Sequence, residues 1–169
     1  NIGFPTAGGP VPIVPSAILY DLNNGGTKGW DTNPYKELGV EAINSASTNF
    51  ELGSIGVGLG ATTSNLKGGL GSTSLVLDNG CTVSAIVAVS AVGSTIVGKS
   101  KHFWAAPFEL NGEFGNLGIA TAYDSNDNEW SSKRPFQGES TTIGIVATDA
   151  ILDKAQATRI ATAAQDGLA

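Results

Sequence analysis

Gly138-Glu139-Ser140-Thr141-Thr142-Ile143-Gly144-Ile145-Val146-Ala147-Thr148-Asp149 is a polar turn that runs, at a threonine pair, into an apolar segment. β-Branched residues favour extended backbone. A short apolar run bounded by turn residues fits a strand covered on both faces. The stretch therefore predicts a buried strand over Thr141–Thr148, with Thr141 as its first residue. A hydroxyl at that position is held by the sheet instead of by its own flexible side chain.

Working outward, Asp153 stands where an N-cap belongs, and Ile160, Ala161, Ala164 and Leu168 share one face of the helix that follows. On the other side, Thr82–Ser90 reads as a second strand, almost continuously apolar from Val83 to Val89. The turn Asp78-Asn79-Gly80 joins it to a strand around Leu75 as a hairpin. Ser94–Val97 reads as a continuation after Gly93. Further upstream, the proline-stiffened Pro10–Pro15 leads into Ser16-Ala17-Ile18-Leu19-Tyr20-Asp21, which reads as another buried strand, and Asn23-Asn24-Gly25-Gly26 is a turn. Asn33-Pro34 marks a helix start with Asn as cap and Pro at the first helical position. Tyr35, Leu38, Ala42, Ile43 and Ala46 then form its apolar face.

Glycine is patterned. Gly56, Gly58 and Gly60 alternate with Ile55, Val57 and Leu59. In a strand this leaves one face without side chains, either for close packing of another element or as a wall facing a small molecule. Lys67-Gly68-Gly69-Leu70-Gly71-Ser72 reads as a glycine-rich loop and lacks the Gly-Lys-Ser/Thr helix start of a phosphate-binding loop. Lys101–Gly118 is irregular and aromatic. Trp104, Phe108 and Phe114 are candidates for lining a pocket, with core packing as the alternative. Tyr123–Arg134 reads as an acidic surface loop. The spacing of Asp124, Asp127 and Glu129 does not fit an EF-hand. Mixed strands and helices, with strands that want cover on both faces, predict a layered α/β architecture.

The 169 residues suffice for one domain, and 41% hydrophobic against 14% charged residues describes a globular chain. A net charge of −6 with nine scattered Lys and Arg argues against a nucleic-acid partner. No apolar run is long enough to span a membrane. One cysteine, Cys81, and one histidine, His102, leave no nitrogen or sulfur cluster for a metal. Cys81 reads as a buried, inert thiol and His102 as structural. There is no methionine and no signal-peptide pattern, and a helical pattern still runs at Leu168-Ala169. The expectation is a single domain over 1–169, incomplete at both ends; compartment is not legible.

Thr141 also has a chemical reading. If the backbone opens on its N-terminal side, the freed α-amine lies beside the hydroxyl and can serve as its base. The ordinary alternative is a threonine pair that merely suits a strand start.

Val11–Leu22, Gly58–Thr63, Lys67–Ser72, Val87–Gly93, His102–Glu109 with Gly112–Gly115, Gly138–Ala150 and Lys154–Ala169 together resemble, in collinear order, the L-aminopeptidase D-Ala-esterase/amidase family. That family includes β-peptidyl aminopeptidases and nylon-oligomer hydrolases. The resemblance implies a four-layer αββα sandwich of the N-terminal-nucleophile type, of which this chain is a fragment. It implies self-cleavage at Ser140–Thr141 into 1–140 and 141–169. Thr141 would then attack a peptide, amide or ester carbonyl. Tyr20 matches a phenol that hydrogen-bonds the oxyanion, and Lys67 lies near a lysine that tunes the nucleophile. Ser90 stands at a strand position by the site and counts, with Thr141, Tyr20 and Lys67, among the catalytic residues. The resemblance further implies a small peptide or amide substrate, no cofactor, association with the remaining segments of the same precursor, and a homo-oligomer of αβ units.

Three departures stand out: Ser140 and Ser90 each replace a family asparagine, and the acidic residues and final strand that follow the position of Ala169 are missing. Three activities therefore stay open. The first is a hydrolase using Thr141. The second is a weak or inactive relative that serves as a structural or assembly subunit. The third is an acyltransferase of ornithine-acetyltransferase type. The intact Thr141-Thr142-Ile143 ranks the hydrolase first.

Overall fold

The computed structural model describes residues 3–123 and 140–168. In chain order the elements are β1 (Phe4–Thr6), β2 (Gly9–Val11), α1 (Tyr35–Asn44), β3 (Gly69–Val76), β4 (Thr82–Ser90), β5 (Thr141–Thr148) and α2 (Lys154–Ala163). Short 3-10 turns form at Gly56–Gly58, Ala106–Phe108 and Ala164–Leu168. The content is mixed helix and sheet, as an α/β chain requires.

The sheet that positions the site is antiparallel, in the order β3-β4-β5. The apolar run of the second strand takes the centre, where both edges are paired. The β3–β4 ladder runs from Val76↔Thr82 to Gly69↔Val89, and the β4–β5 ladder from Val83↔Thr148 to Ser90↔Thr141. The hairpin turns as expected. Leu77 N donates to Cys81 O at 2.8 Å, and Gly80 adopts φ +83°, a conformation that glycine alone takes without steric cost. Beyond β5, Asp153 closes a capping box on α2: Gln156 N donates to Asp153 Oδ1 at 2.8 Å and Asp153 N to Gln156 Oε1 at 2.9 Å. Such a cap stabilises a helix by about 1 kcal/mol.

Several expectations are corrected. Ser16–Asp21 is not a strand: no ladder pairs it, and Ile18 is exposed. An apolar extended segment becomes a strand only where a partner edge is available. Gly56–Gly60 is not a strand either. Gly56 takes φ +52°, and Gly58 N and Leu59 N bond back to Ile55 O and Gly56 O, closing a 3-10 turn. The glycine-rich segment at Lys67 is only partly a loop, because β3 already starts at Gly69, drawn into extension by its ladder with β4. Ser94–Val97 does not prolong β4; it makes one isolated bridge, Ile96↔Phe103. At α1, Pro34 takes the cap position while Asn33 Oδ1 accepts from Tyr35 N at 2.9 Å, so the helix starts one residue late. The Asp124–Arg134 part of the expected acidic loop, Gly138 and Glu139, and the terminal Asn1, Ile2 and Ala169 lie outside the described residues.

Burial differs most from expectation. Among the described residues the buried apolar side chains are Ala61, Ala88 and Val97. Leu75, Val76 and Ile145 of the sheet, Tyr35, Leu38 and Ile43 of α1, and Leu168 are all exposed. Periodicity reports which faces demand cover; it does not supply the element that covers them. What is buried gathers at the Ser90 end of β4, against the segment Gly58–Ser64.

The other end of the sheet carries a charge-linked contact. Thr82 N donates to Asp149 Oδ1 at 2.8 Å. That bond first, then the Cys81 thiol and the Thr82 hydroxyl, hold the Asp149 carboxyl below its ordinary pKa. A depressed carboxylate adds stability above its unfolded-state pKa, and that stability is lost as pH falls through the folded value. Asp149→Asn should therefore be less stable than wild type at pH 7, with the gap closing as pH drops below the ordinary aspartate range. Urea melts at pH 7 and pH 3 measure this, and a gap that does not shrink with acid would contradict it.

Candidate active site

The Thr141 end of the sheet is built by main-chain pairing. Thr141 is the first residue of β5, half-buried, and lies opposite Ser90, the last residue of β4; Ser140 just before it is exposed. Directly opposed residues in an antiparallel ladder have Cα atoms about 4.5–5.5 Å apart. Ser90 is fully buried. Its Oγ accepts from Thr62 N at 3.3 Å and faces Thr62 O, to which it can donate, at 3.4 Å. The hydroxyl expected at a reacting centre is thus engaged by the neighbouring backbone.

Thr62 belongs to a tight turn that leads into β3. Thr62 bridges Lys67, Gly68 N donates to Ala61 O at 2.8 Å, and Thr63 N donates to Leu66 O at 2.8 Å. Hydroxyls lace this turn to the chain leaving β4. Ser64 Oγ donates to Val92 O, Ser64 N to Gly93 O at 3.0 Å, and Ser94 Oγ to Asn65 Oδ1 at 3.0 Å. A Cβ on Gly68 would overlap the Val89 carbonyl oxygen and lie 2.9 Å from Ala61 Cβ. Here the missing side chain is what lets the turn meet β4.

A third segment docks on the same turn. Asn24 Nδ2 donates to Gly60 O at 2.7 Å and to Thr62 Oγ1 at 3.3 Å. Gly60 has no room for a side chain because the Asp21 carboxylate occupies it, with Asp21 Cβ 2.9 Å from where a Cβ would stand. Tyr20, half-buried, immediately precedes that aspartate. The segments carrying Tyr20, Lys67, Ser90 and Thr141 are therefore linked through one residue, Thr62. The Lys67 side chain itself is exposed.

Gly58 and Gly60 do not form a bare strand face. A Cβ on Gly58 would overlap the Gly53 carbonyl oxygen and sit 2.9 Å from Gly69 Cα. Both glycines serve close approach of other chain segments. The aromatic segment springs from residues just past Ser90: Trp104 N donates to Thr95 O at 3.1 Å, and Val97 N to His102 O at 2.9 Å. Phe103 and Phe114 stack with centroids 4.8 Å apart, and Trp104 meets Tyr123 edge-on at 5.8 Å. Trp104 and Phe108 are exposed. His102 Nδ1 lies 3.0 Å from Gly118 O, a contact that fastens the loop. Cys81 is half-exposed, not buried as expected, because it sits in the hairpin connection just ahead of β4, at the opposite end of that strand from buried Ser90; its Sγ lies 3.3 Å from Thr148 Oγ1.

Sequence reasoning overlooks three residues. Asn24 reads only as a turn former, although an Asn pair before Gly-Gly needs just one side chain for the turn. Thr62 opens the run Thr62-Thr63-Ser64, and only the structure shows that its neighbours are buried (4% exposure for Thr63, 8% for Ser64) and hydrogen-bonded. Glu109 Oε1 accepts from Phe114 N at 2.6 Å and Asn116 N at 3.0 Å, closing the aromatic loop on itself. Among the described residues no group of three or more His, Cys, Asp or Glu is placed to hold a metal ion, and no helix is long and apolar enough to cross a membrane.

The arrangement places half-buried Thr141 at the first position of a paired strand, directly after exposed Ser140 and opposite the serine that Thr62 engages. Comparison with known proteins points to peptidases. The sequence model of peptidase family S58 matches residues 5–169. An uncharacterized aminopeptidase of Mycobacterium bovis is 37% identical over 166 residues, covering 95% of this chain and 46% of that protein. A Mycobacterium tuberculosis protein of the same description matches equally well. One from Mycobacterium leprae is 36% identical over 172 residues, covering 99% of this chain and 46% of its own length. The chain thus spans about half the length of these curated relatives.

Proposed function

This chain belongs to peptidase family S58, and from that membership we propose that it carries the nucleophile of an aminopeptidase or amidase that opens its own backbone before Thr141. The observation that supports this most directly is the place of Thr141 at the first position of β5, opposite buried Ser90 and directly after exposed Ser140. In the cleavage step, Thr141 Oγ adds to the Ser140 carbonyl carbon. The C–N bond breaks and its electron pair, with a proton, becomes the Thr141 α-amine. The resulting ester is hydrolysed by water to leave a Ser140 carboxylate. In turnover the α-amine takes the Thr141 hydroxyl proton as Oγ attacks a substrate carbonyl. Tyr20 supplies a donor to the oxyanion, and the exposed ammonium of Lys67 adds positive potential. Ser90 holds the Thr62 backbone instead of contacting the reacting atoms. Trp104 and Phe108 receive the substrate side chain; Gly58 and Gly60 do not, being filled by other segments.

The substrate is a small peptide, amide or ester with a free amine, and no cofactor takes part. The open apolar faces of the β3-β4-β5 sheet and of α1 suit a four-layer αββα sandwich, in which a second sheet from the rest of the protein covers the first, with αβ units assembling further. Intact-mass measurement or N-terminal sequencing of the mature protein tests the proposal: a polypeptide beginning at Thr141 is expected. A continuous chain through Ser140–Thr141 would instead favour a structural subunit without turnover. The engagement of the Ser90 hydroxyl by Thr62, at a position where the family resemblance implies an asparagine, is the one feature that speaks for that second reading.

A further inference from the structure

We infer that Asn24 is a positioning residue that fixes the segment carrying Tyr20 against the strand end that carries Thr141. The inference deepens the proposed function and rests on it for its effect on rate. Within the turn Asp21–Gly26, Asn24 N donates to Asp21 O at 2.9 Å. The residues from Pro12 to Tyr20 form no ladder, so strand pairing does not hold Tyr20 in place. The Asn24 carboxamide, half-buried, reaches from this stretch toward the sheet. Its two N–H groups match two acceptors: the Gly60 carbonyl at 2.7 Å and the Thr62 hydroxyl at 3.3 Å. Both acceptors sit on the turn whose Thr62 N bonds Ser90 Oγ, and Ser90 is the ladder partner of Thr141. The path from Asn24 to the nucleophile is thus two side-chain hydrogen bonds, one buried serine and one cross-strand pair. Packing of Asp21 against the bare Gly60 sets the spacing but gives no direction, because a carboxylate donates no hydrogen bond to the Gly60 carbonyl. The amide sets the orientation of the turn, and Tyr20 moves with it.

Asn24→Asp tests this with the shape kept and both donors removed, and Asn24→Ala with the side chain truncated. Hydrogen exchange of the purified protein should speed up about tenfold or more in the peptide over residues 17–24, while the helix 154–163 stays unchanged. An unchanged 17–24 peptide in both variants overturns the inference. In kinetics with an aminoacyl amide, both variants should lower kcat about tenfold with KM held within about twofold, and in a Tyr20→Phe background the same substitutions should change kcat less than about twofold. Equal losses in the two backgrounds would mean that Asn24 does not act through Tyr20, and would also overturn it. Absence of any Thr141-dependent turnover in the wild type would remove the hydrolase reading; exchange would then still decide whether Asn24 positions the Tyr20 segment.

Discussion

Thr141→Ala is expected to yield a single uncut chain with turnover reduced at least about 10³-fold, because the proposed reaction needs a hydroxyl on the same residue that bears the freed α-amine, which neither Ser140 nor Thr142 provides. The change removes one hydroxyl and one methyl from a half-buried strand end. Its conformational cost in an extended strand is at most about 1 kcal/mol. The melting curve should therefore barely move while chemistry disappears. Thr141→Ser keeps the hydroxyl and should still cut and turn over, at a rate within about 100-fold of wild type. Gel mobility under denaturing conditions and intact mass read scission, release of amine from an aminoacyl amide reads turnover, and thermal denaturation reads stability. Full scission or undiminished turnover in the alanine variant would exclude Thr141 as nucleophile.

The second large effect concerns folding instead of chemistry. Gly68→Ala should destabilise the protein by about 3 kcal/mol or more, since the added methyl meets backbone, not a side chain that can rotate away. The Val89 carbonyl belongs to the central strand and Ala61 to the turn that holds Ser90, so neither yields without breaking other bonds. Gly71→Ala is the control. It lies on the same side of the hairpin, within β3, with nothing inside 4 Å of where its methyl would stand, and should change stability by less than about 1 kcal/mol. Urea denaturation of the two variants beside wild type gives both numbers. Equal midpoints would show that Gly68 is not a packing requirement.

The hairpin of β3 and β4, the strand at Thr141 and the capped helix at Asp153 are legible in the sequence because each is decided by nearby residues: a turn with glycine at positive φ, a β-branched run, an aspartate three residues before a glutamine. Ser16–Asp21 and Gly56–Gly60 mislead because apolar and alternating residues look the same whether or not a neighbouring edge exists to pair with them. The same blindness explains the unmet expectation of burial for Cys81 and for the apolar face of α1. Family resemblance draws attention to Tyr20, Lys67, Ser90 and Thr141, and the fold links the segments that carry them. The linking residues, Asn24 and Thr62, are not legible, since their roles depend on partners far away in sequence that no local pattern announces.

The eight residues of β5 each face a partner on β4, and this has a consequence for what self-cleavage can mean here. Severing the chain ahead of Thr141 would alter its covalent connectivity and leave this pairing intact. If the proposed scission occurs, the new terminus would arise already seated, and the two pieces would stay joined by the strand pairing between Thr82–Ser90 and Thr141–Thr148.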